Sequence, residues 1–440
     1  MLADLAAVEP VGSLPRSTEV VIIGGGIVGA SAALSLAEAG VPTCLLEKGQ
    51  VGAEQSGRNW GWVRKMGRLE ADVDLSVLSE RLWQRLDARI GRPTGYRTIG
   101  SLYPCDTEQE LEERARWKRD VADPRQLGSV LLSSRELDAL LPGGRRRFCG
   151  ALHTPSDGCA EPFLAAPAIA NGAREKGATV LVGCAARAIE TEAGRVSAVV
   201  TDCGRIACKA VVIAAGAWTR LLCSGLGLDF PQLRLMGSVL QSEPMDGPEL
   251  CVGASDFAFR KRLDGGYTIA RRNSNVTFLT PDHFRLFFQF LPTLRDKRNL
   301  VQIRADASFF DAWRDERRAR AGEPTVFERK RVLNPTPSQK TLESGLRNLK
   351  AAYPVFEKLK VRQVWAGFIE GTPDAMPVLS AAEGVPGLVL ASGFSGQGFG
   401  PGPAIGQIVA EIVRGVTPSL PISQYRFDRF GGNPPTKVAA

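Results

Sequence analysis

Histidine is nearly absent from this chain: its 440 residues include two, His153 and His283. Neither lies in a recognisable motif, so a histidine general base or a metal centre is not expected. Cysteine is present but unpatterned. Its nine copies (Cys44, Cys105, Cys149, Cys159, Cys184, Cys203, Cys208, Cys223 and Cys251) form no Cys-x-x-Cys pair, and an odd number does not read as a disulfide scaffold. A reducing, cytoplasmic setting is the expectation. No uninterrupted apolar run approaches the roughly 18 to 20 residues that span a bilayer, which predicts a soluble protein or one resting on the inner face of a membrane. The first residues hold Glu9, Pro10 and Pro15 and lack a basic segment followed by an apolar one, so they do not read as a secretory signal. Repeats and low-complexity segments are also missing.

What is present is ordinary for a folded protein: 44% hydrophobic and 23% charged residues. The length suggests two or three globular units rather than one core. The net charge of +8 is spread along the chain, so nucleic acid is not expected as a partner.

The most informative stretch comes early. A short apolar strand, Glu19 to Ile23, runs into Gly24-x-Gly26-x-x-Gly29, and a helix follows through Ile27, Val28, Ala30, Ala33, Leu34 and Ala37 until Gly40 stops it. A second strand, Thr43 to Leu46, ends at Glu47 and Lys48. This is a complete βαβ unit. Gly24 permits the tight turn, Gly26 lets the backbone approach a pyrophosphate, and Gly29 lets helix and strand pack closely, while the helix N-terminus holds phosphate charge. Glu47 is placed to accept hydrogen bonds from a ribose diol.

Three later segments suit a large planar ligand. Gly52 to Gly67, with Ser56, Arg58, Asn59 and Gly61, reads as a loop of small and hydrogen-bonding residues. Val211 to Trp218 is an apolar strand ending in small residues, among them Ala215 and Gly216, that let a ligand lie against the backbone. Gly393 to Gly402, with Ser395, Gly396, Gln397, Gly398 and Phe399, is a glycine-rich loop before a helix whose N-terminus can stabilise negative charge. Ala186 is expected beside the same ligand.

Taken together, these segments resemble the FAD-dependent amine and amino-acid oxidoreductases that include D-amino-acid dehydrogenase, glycine oxidase and monomeric sarcosine oxidase. The resemblance implies an α/β fold. A Rossmann-like FAD-binding domain would be assembled from residues 18–94, 142–235 and 352–430. A substrate domain, α+β and built on a mixed or antiparallel sheet, would come from 95–141 and 236–351, with a helical insertion at 280–331. It also implies oxidation of an amine or amino acid by hydride transfer to flavin N5, giving an imine that hydrolyses, with electrons passing on to oxygen or to a quinone.

The motif Trp365-Ala-Gly-Phe-Ile-Glu-Gly-Thr-Pro-Asp374 is similar to the family's Thr-Pro-Asp signature, but it departs from it in detail. Ile369 stands where the D-amino-acid branch has an arginine for the substrate carboxylate. Gly367 stands where sarcosine oxidases carry a flavin-linking cysteine, so the FAD is expected to be non-covalent. Gly400 replaces a sarcosine-oxidase lysine. With those anchors gone, the resemblance leaves Arg64 as the candidate grip on a carboxylate, with Trp62 and Ile369 as substrate contacts. Lys261, inside Phe257-Ala-Phe-Arg-Lys-Arg262, is a candidate for assisting oxygen beside the flavin. Three basic residues in a row also read as a solvated face.

Between Met236 and Arg272 the alternation of apolar and polar residues predicts antiparallel strands. Phe284, Phe287, Phe288 and Leu291 lie at helical spacing and predict a core stripe or an oligomer contact. The basic stretch after them also suits an anionic membrane surface. Arg145 to Arg147 reads as a solvated loop, and Gly431 to Ala440 as a loose tail. A simple-amine or N-alkyl amino-acid dehydrogenase feeding an electron-transfer chain, and a flavoprotein of tRNA modification, are the rival readings.

Overall fold

The computed structural model describes residues 4–8, 13–297, 301–320 and 325–431. Glu9, Pro10 and the proposed tail beyond Gly431 lie outside them. Val20–Ile23 is buried along its whole length and pairs in parallel with Thr43–Glu47 on one side and Ala210–Ile213 on the other. Thr179–Val182 and Leu388–Ser392 extend the parallel array, and Val378–Ala381 closes one edge antiparallel. Strands covered on both faces read as unbroken apolar runs, which is why Val-Val-Ile-Ile and Val-Val-Ile appear here rather than an alternating pattern.

One face is covered by the helices Ile27–Glu38, Pro162–Glu175 and Gly402–Val413. The first and last of these cross so closely that a Cβ at Gly406 would come within 2.4 Å of Ser31. The other face is capped by an antiparallel meander, Ala186–Glu192, Arg195–Thr201 and Gly204–Ala207.

A second, larger mixed sheet contains Ser101–Cys105, Gly150–Thr154, Ala258–Lys261 and Tyr267–Ala270. The predicted alternation between Met236 and Arg272 thus corresponds to antiparallel strands. Leu233–Ser242 runs against Val361–Gly371 from Leu233↔Gly371 to Ser242↔Val361. That pair forms the wall shared by the two sheets. Trp365 Nε1 donates to the Arg58 carbonyl at 3.0 Å, and Arg58 Nη1 donates to the Ala366 carbonyl at 2.7 Å, so the loop after the βαβ unit is clasped to the second sheet.

The phenylalanine stripe is not core in this chain. The segment breaks into Pro281–Arg285 and Phe287–Lys297; Leu286 and Phe290 turn inward, while Phe284 and Phe288 are 66% and 83% exposed. A Thr280–His283 capping box starts the first helix, and the break at Leu286 interrupts the helical spacing that the sequence implied. Arg145, Arg146 and Arg147 each reach an acid (Glu357, Asp106 with Asp256, and Asp138), so that loop is ion-paired rather than merely solvated. No helix among the described residues is long and apolar enough to cross a membrane.

Candidate active site

A cleft of about 450 Å³ runs from the glycine turn to the shared wall between the sheets. Gly24, Gly26, Ile27, Val28, Glu47, Lys48, Ser56, Arg58, Asn59, Ala186, Ala215, Gly216, Trp218, Gly367, Ser395, Gly396, Gln397, Gly398 and Phe399 line it, as do Trp62, Arg64 and Ile369. The βαβ unit and the three later segments therefore meet at one cleft, together with Ala186 and the stretch from Gly367 to Ile369. Gly29, Gly61, Gly393 and Lys261 are not in the lining.

The reasons differ. Gly29 serves the turn from behind, since a Cβ there would lie 2.0 Å from the Gly24 carbonyl oxygen. Gly61 and Gly393 give way to the Ala160 carbonyl and to the Thr372 methyl. Lys261 is a correction to both sequence readings, neither solvated nor in the cleft. Its ammonium donates to the Met245 carbonyl and sits 4.7 Å from the centre of the Tyr267 ring. Its neighbour Arg260 is fully buried and bonded to Glu161, so the basic run is drawn inward by an acid distant in sequence.

At the dinucleotide end, Gly24 has φ +113° and its missing side chain leaves room for the Ala214 carbonyl, 2.4 Å from where a Cβ would stand. The Gly25 and Gly49 N–H groups donate to the two oxygens of Glu47 at 2.8 and 2.7 Å. Each oxygen keeps a second lone pair for a diol. Burial pushes the Glu47 carboxyl up to about 7, against the two N–H donors that favour its charged form. Ser56 accepts from the Ile27 N–H at 2.8 Å and so fixes the loop against the helix start. Arg58 is buried with Nη2 lacking any partner among the described residues, although its other nitrogens bond to Ala53, Asn334 and Ala366. The helix start at Ile27, steadied by Ser56 and opening onto the cleft, fits an extended diphosphate ligand.

Lys48 and Trp218 are more structural than the sequence suggested. The Lys48 ammonium bonds to Glu54 and to the carbonyls of Lys330 and Arg331, and it lies 4.5 Å from the centre of the Trp218 ring. Arg234 sits 4.9 Å from the same ring.

At the other end the lining is cationic. The side chains of Arg64, Arg68 and Arg272 all face the cleft. Tyr103 is buried beneath them, with the guanidinium carbons of Arg64 and Arg272 5.7 and 4.3 Å from its ring centre. Arg68 Nη1 donates to the side-chain and main-chain oxygens of Gln397 at 2.7 and 3.1 Å, which ties the glycine-rich loop to the loop after the βαβ unit. Its Nη2 lies 3.2 Å from where a Cβ of Gly400 would be. The room left by the absent lysine is thus taken by Arg68. Burial lowers the Arg68 pKa and the nearby Arg64 lowers it further, to about 9. Likewise Gly367 is glycine because Arg58 packs there, its Cβ 2.9 Å from the position of the missing one.

Arg68, Tyr103, Arg272 and Glu370 were not found by sequence reasoning. Glu370 is buried in the cleft wall, accepts from Gln55 and from the Phe394 N–H, and is pushed up to about 7 by burial. Its place two residues before Thr372-Pro-Asp374 was the available signal. Arg272 offered none, since only the fold carries it to Tyr103.

Comparison with known proteins agrees with this geometry. A family model described as FAD dependent oxidoreductase matches residues 19–412. A 4-methylaminobutanoate oxidase (formaldehyde-forming) of Paenarthrobacter nicotinovorans is 26% identical over 96% of this chain, which spans 46% of that relative's length. The chain thus spans about half the length of several curated relatives it matches. A glycine oxidase of Pseudomonas aeruginosa is 25% identical, with 93% of this chain and 98% of that protein covered. The solved structure of an L-amino acid deaminase from Proteus myxofaciens, in complex with anthranilate, superposes with a TM-score of 0.93 at 29% identity, covering 97% of this chain and 96% of that one.

Proposed function

The chain belongs to the family of FAD-dependent oxidoreductases, and on that premise we propose that it oxidises the C–H bond beside the nitrogen of a carboxylate-bearing amine, an amino or imino acid, to an imine that water hydrolyses. The observation that carries this reading is Arg64: its guanidinium lines the cleft beside the glycine-rich loop and has no carboxylate partner among the described residues. Arginine binds a carboxylate through two parallel hydrogen bonds, which fixes the neighbouring carbon for transfer. The relatives support the same class, since their names specify 4-methylaminobutanoate, glycine and L-amino acids as substrates.

When bound, FAD supplies the acceptor for the hydride. Gly24, Gly26 and the start of the helix at Ile27 would cradle the diphosphate, and Glu47 would take the ribose hydroxyls. The loop 395–399 and the start of the helix Gly402–Val413 would face the ring. Crowding of Gly367 by Arg58 favours a cofactor held without a covalent link. Trp62 and Ile369 bound the substrate end and limit water there.

The test is an anaerobic panel of D- and L-amino acids, proline derivatives, N-methyl amino acids and simple amines. Bleaching of the flavin band by a carboxylate-bearing amine is the expected result. Bleaching by simple amines alone would overturn the reading.

A second reading concerns where the electrons go. Phe284, Phe288 and Phe310 are exposed on the helices Pro281–Arg285, Phe287–Lys297 and Ser308–Arg320, which favours transfer to a membrane quinone over oxygen. Reoxidation by a soluble quinone analogue much faster than by air, together with sedimentation on anionic vesicles, would bear this out. A dimer that buries the same residues in solution would not.

A further inference from the structure

The substrate end of the cleft holds more cationic charge than one carboxylate requires. Lys65, between Arg64 and Arg68 in sequence, is paired with Glu80 and Asp157. Arg64, Arg68 and Arg272 have no such pairing: among the described residues no carboxylate forms an ion pair with any of them. Arg68 is spent on Gln397 and on the Arg64 carbonyl. Two guanidiniums remain. Arg64 uses Nη1 on the Met66 carbonyl, and Arg272 uses Nη1 on the carbonyls of Gly253 and Ala254, at 2.6 and 3.3 Å. The Nη2 and Nε groups of both have no hydrogen-bond partner among the described residues, and both side chains line the cleft against the same tyrosine. Arg114, 5.2 Å from the Tyr103 ring centre, adds a further positive charge behind it.

Like charges gathered in a partly desolvated wall repel one another, and carbonyl dipoles, with Glu110 acting on Arg272 beyond ion-pair distance, offset this only in part. An anion for each free fork would relieve it, and a planar fork selects a carboxylate.

The geometry points to a substrate with two carboxylates, an amino or imino dicarboxylate, one held by Arg64 and the other by Arg272. This rests on the reading of the cleft as the site of amine oxidation and narrows it.

The test uses the purified holoenzyme and matched substrates, glutamate against glutamine and aspartate against asparagine in both chiralities. Each pair differs only in the second carboxylate. The expected result is a kcat/KM at least about tenfold higher for the dicarboxylate, the scale of one charged contact. In Arg272→Gln the ratio of kcat/KM between the dicarboxylate and its carboxamide partner falls to near unity. Equal rates within each pair, or a preference that survives Arg272→Gln, would overturn the proposal.

Should Arg272→Gln fail to fold, the wild type decides by inhibition. Succinate and glutarate are expected to perturb the oxidised flavin spectrum and compete at concentrations about tenfold below propionate and butyrate. Comparable competition by the monocarboxylates would reject a second anion subsite. Failure of the broader reading looks different: no amine would bleach the flavin, while the dicarboxylates would still perturb its spectrum.

Discussion

Two groups of arginines lie near the cleft and are treated in opposite ways. Around Glu161 the charge is closed: Arg260 donates to both carboxylate oxygens at 2.8 and 3.1 Å, Arg262 stands 3.5 Å away, and the Leu263 N–H completes the set. Around Tyr103 it is open, with Arg64 and Arg272 bonded to carbonyls and facing the cleft. Both groups are basic runs or single arginines in sequence, and nothing local separates them. The difference is whether the fold supplies an acid. Where it does, the cations hold the structure; where it does not, they wait for an anion from outside.

The strongest way to break that comparison is to remove the acid from the closed group. Glu161→Gln should cost about 3–5 kcal/mol, because it strands a buried guanidinium. Denaturant melts would measure it. Burial raises the Glu161 pKa, but Arg260 and its neighbours outweigh this and hold it at about 2. The folded pKa is therefore depressed, so the stabilisation is present above the ordinary carboxylate range and fades as pH falls toward about 2. A wild-type margin unchanged under acid would contradict the pairing.

Glu370 gives the converse case, a cleft acid without a cation on it. Its folded pKa is raised to about 7, so the folded state keeps a proton that the unfolded chain releases at lower pH. The penalty is absent in acid, grows through the weakly acidic range and is complete above about 7. Glu370→Gln should therefore gain on the wild type between about pH 5 and pH 8, by up to roughly 3 kcal/mol. Parallel stability curves would remove the unpaired carboxylate from the account.

In the open group, Arg64→Ala should raise KM for carboxylate substrates at least about tenfold, roughly 1.4 kcal/mol, with little change in stability. An unchanged KM would take Arg64 out of the site. The smallest effect belongs to Lys261→Met. With the ammonium buried against Tyr267 and outside the cleft, turnover in air should change by less than about twofold. A large fall in reoxidation rate would restore the sequence reading of that lysine.

The dinucleotide end was largely legible because its constraints are local. Gly24, Gly26, Gly29 and Glu47 belong to one βαβ unit; Gly24 and Gly29 answer to backbone met beside or within it, and Gly26 to the Ser56 hydroxyl just after it. The substrate end was not, because its charges come together only through the larger sheet. Arg64 was visible as a loop residue, but Tyr103 and Arg272 meet it across strand pairings that no spacing announces. Lys261 misled for the same reason, since the acid that draws its neighbours inward is Glu161, ninety-nine residues before Arg260. Of the two expectations for the phenylalanine spacing at 284–291, core or oligomer contact, the first fails because the helix breaks at Leu286, and Leu286 and Phe290 take the inward positions.

The carbonyl acceptors that steady Arg64 and Arg272 have a consequence for how such a cleft can diverge. A main-chain oxygen at Met66 or Gly253 is offered whatever side chain stands there, and losing the guanidinium leaves no stranded acid behind. Substitutions at Arg64 and Arg272 are therefore open to drift and to selection, with substrate choice able to change while the scaffold stays intact. The same freedom is closed at Glu161, where any change must be answered by a second one.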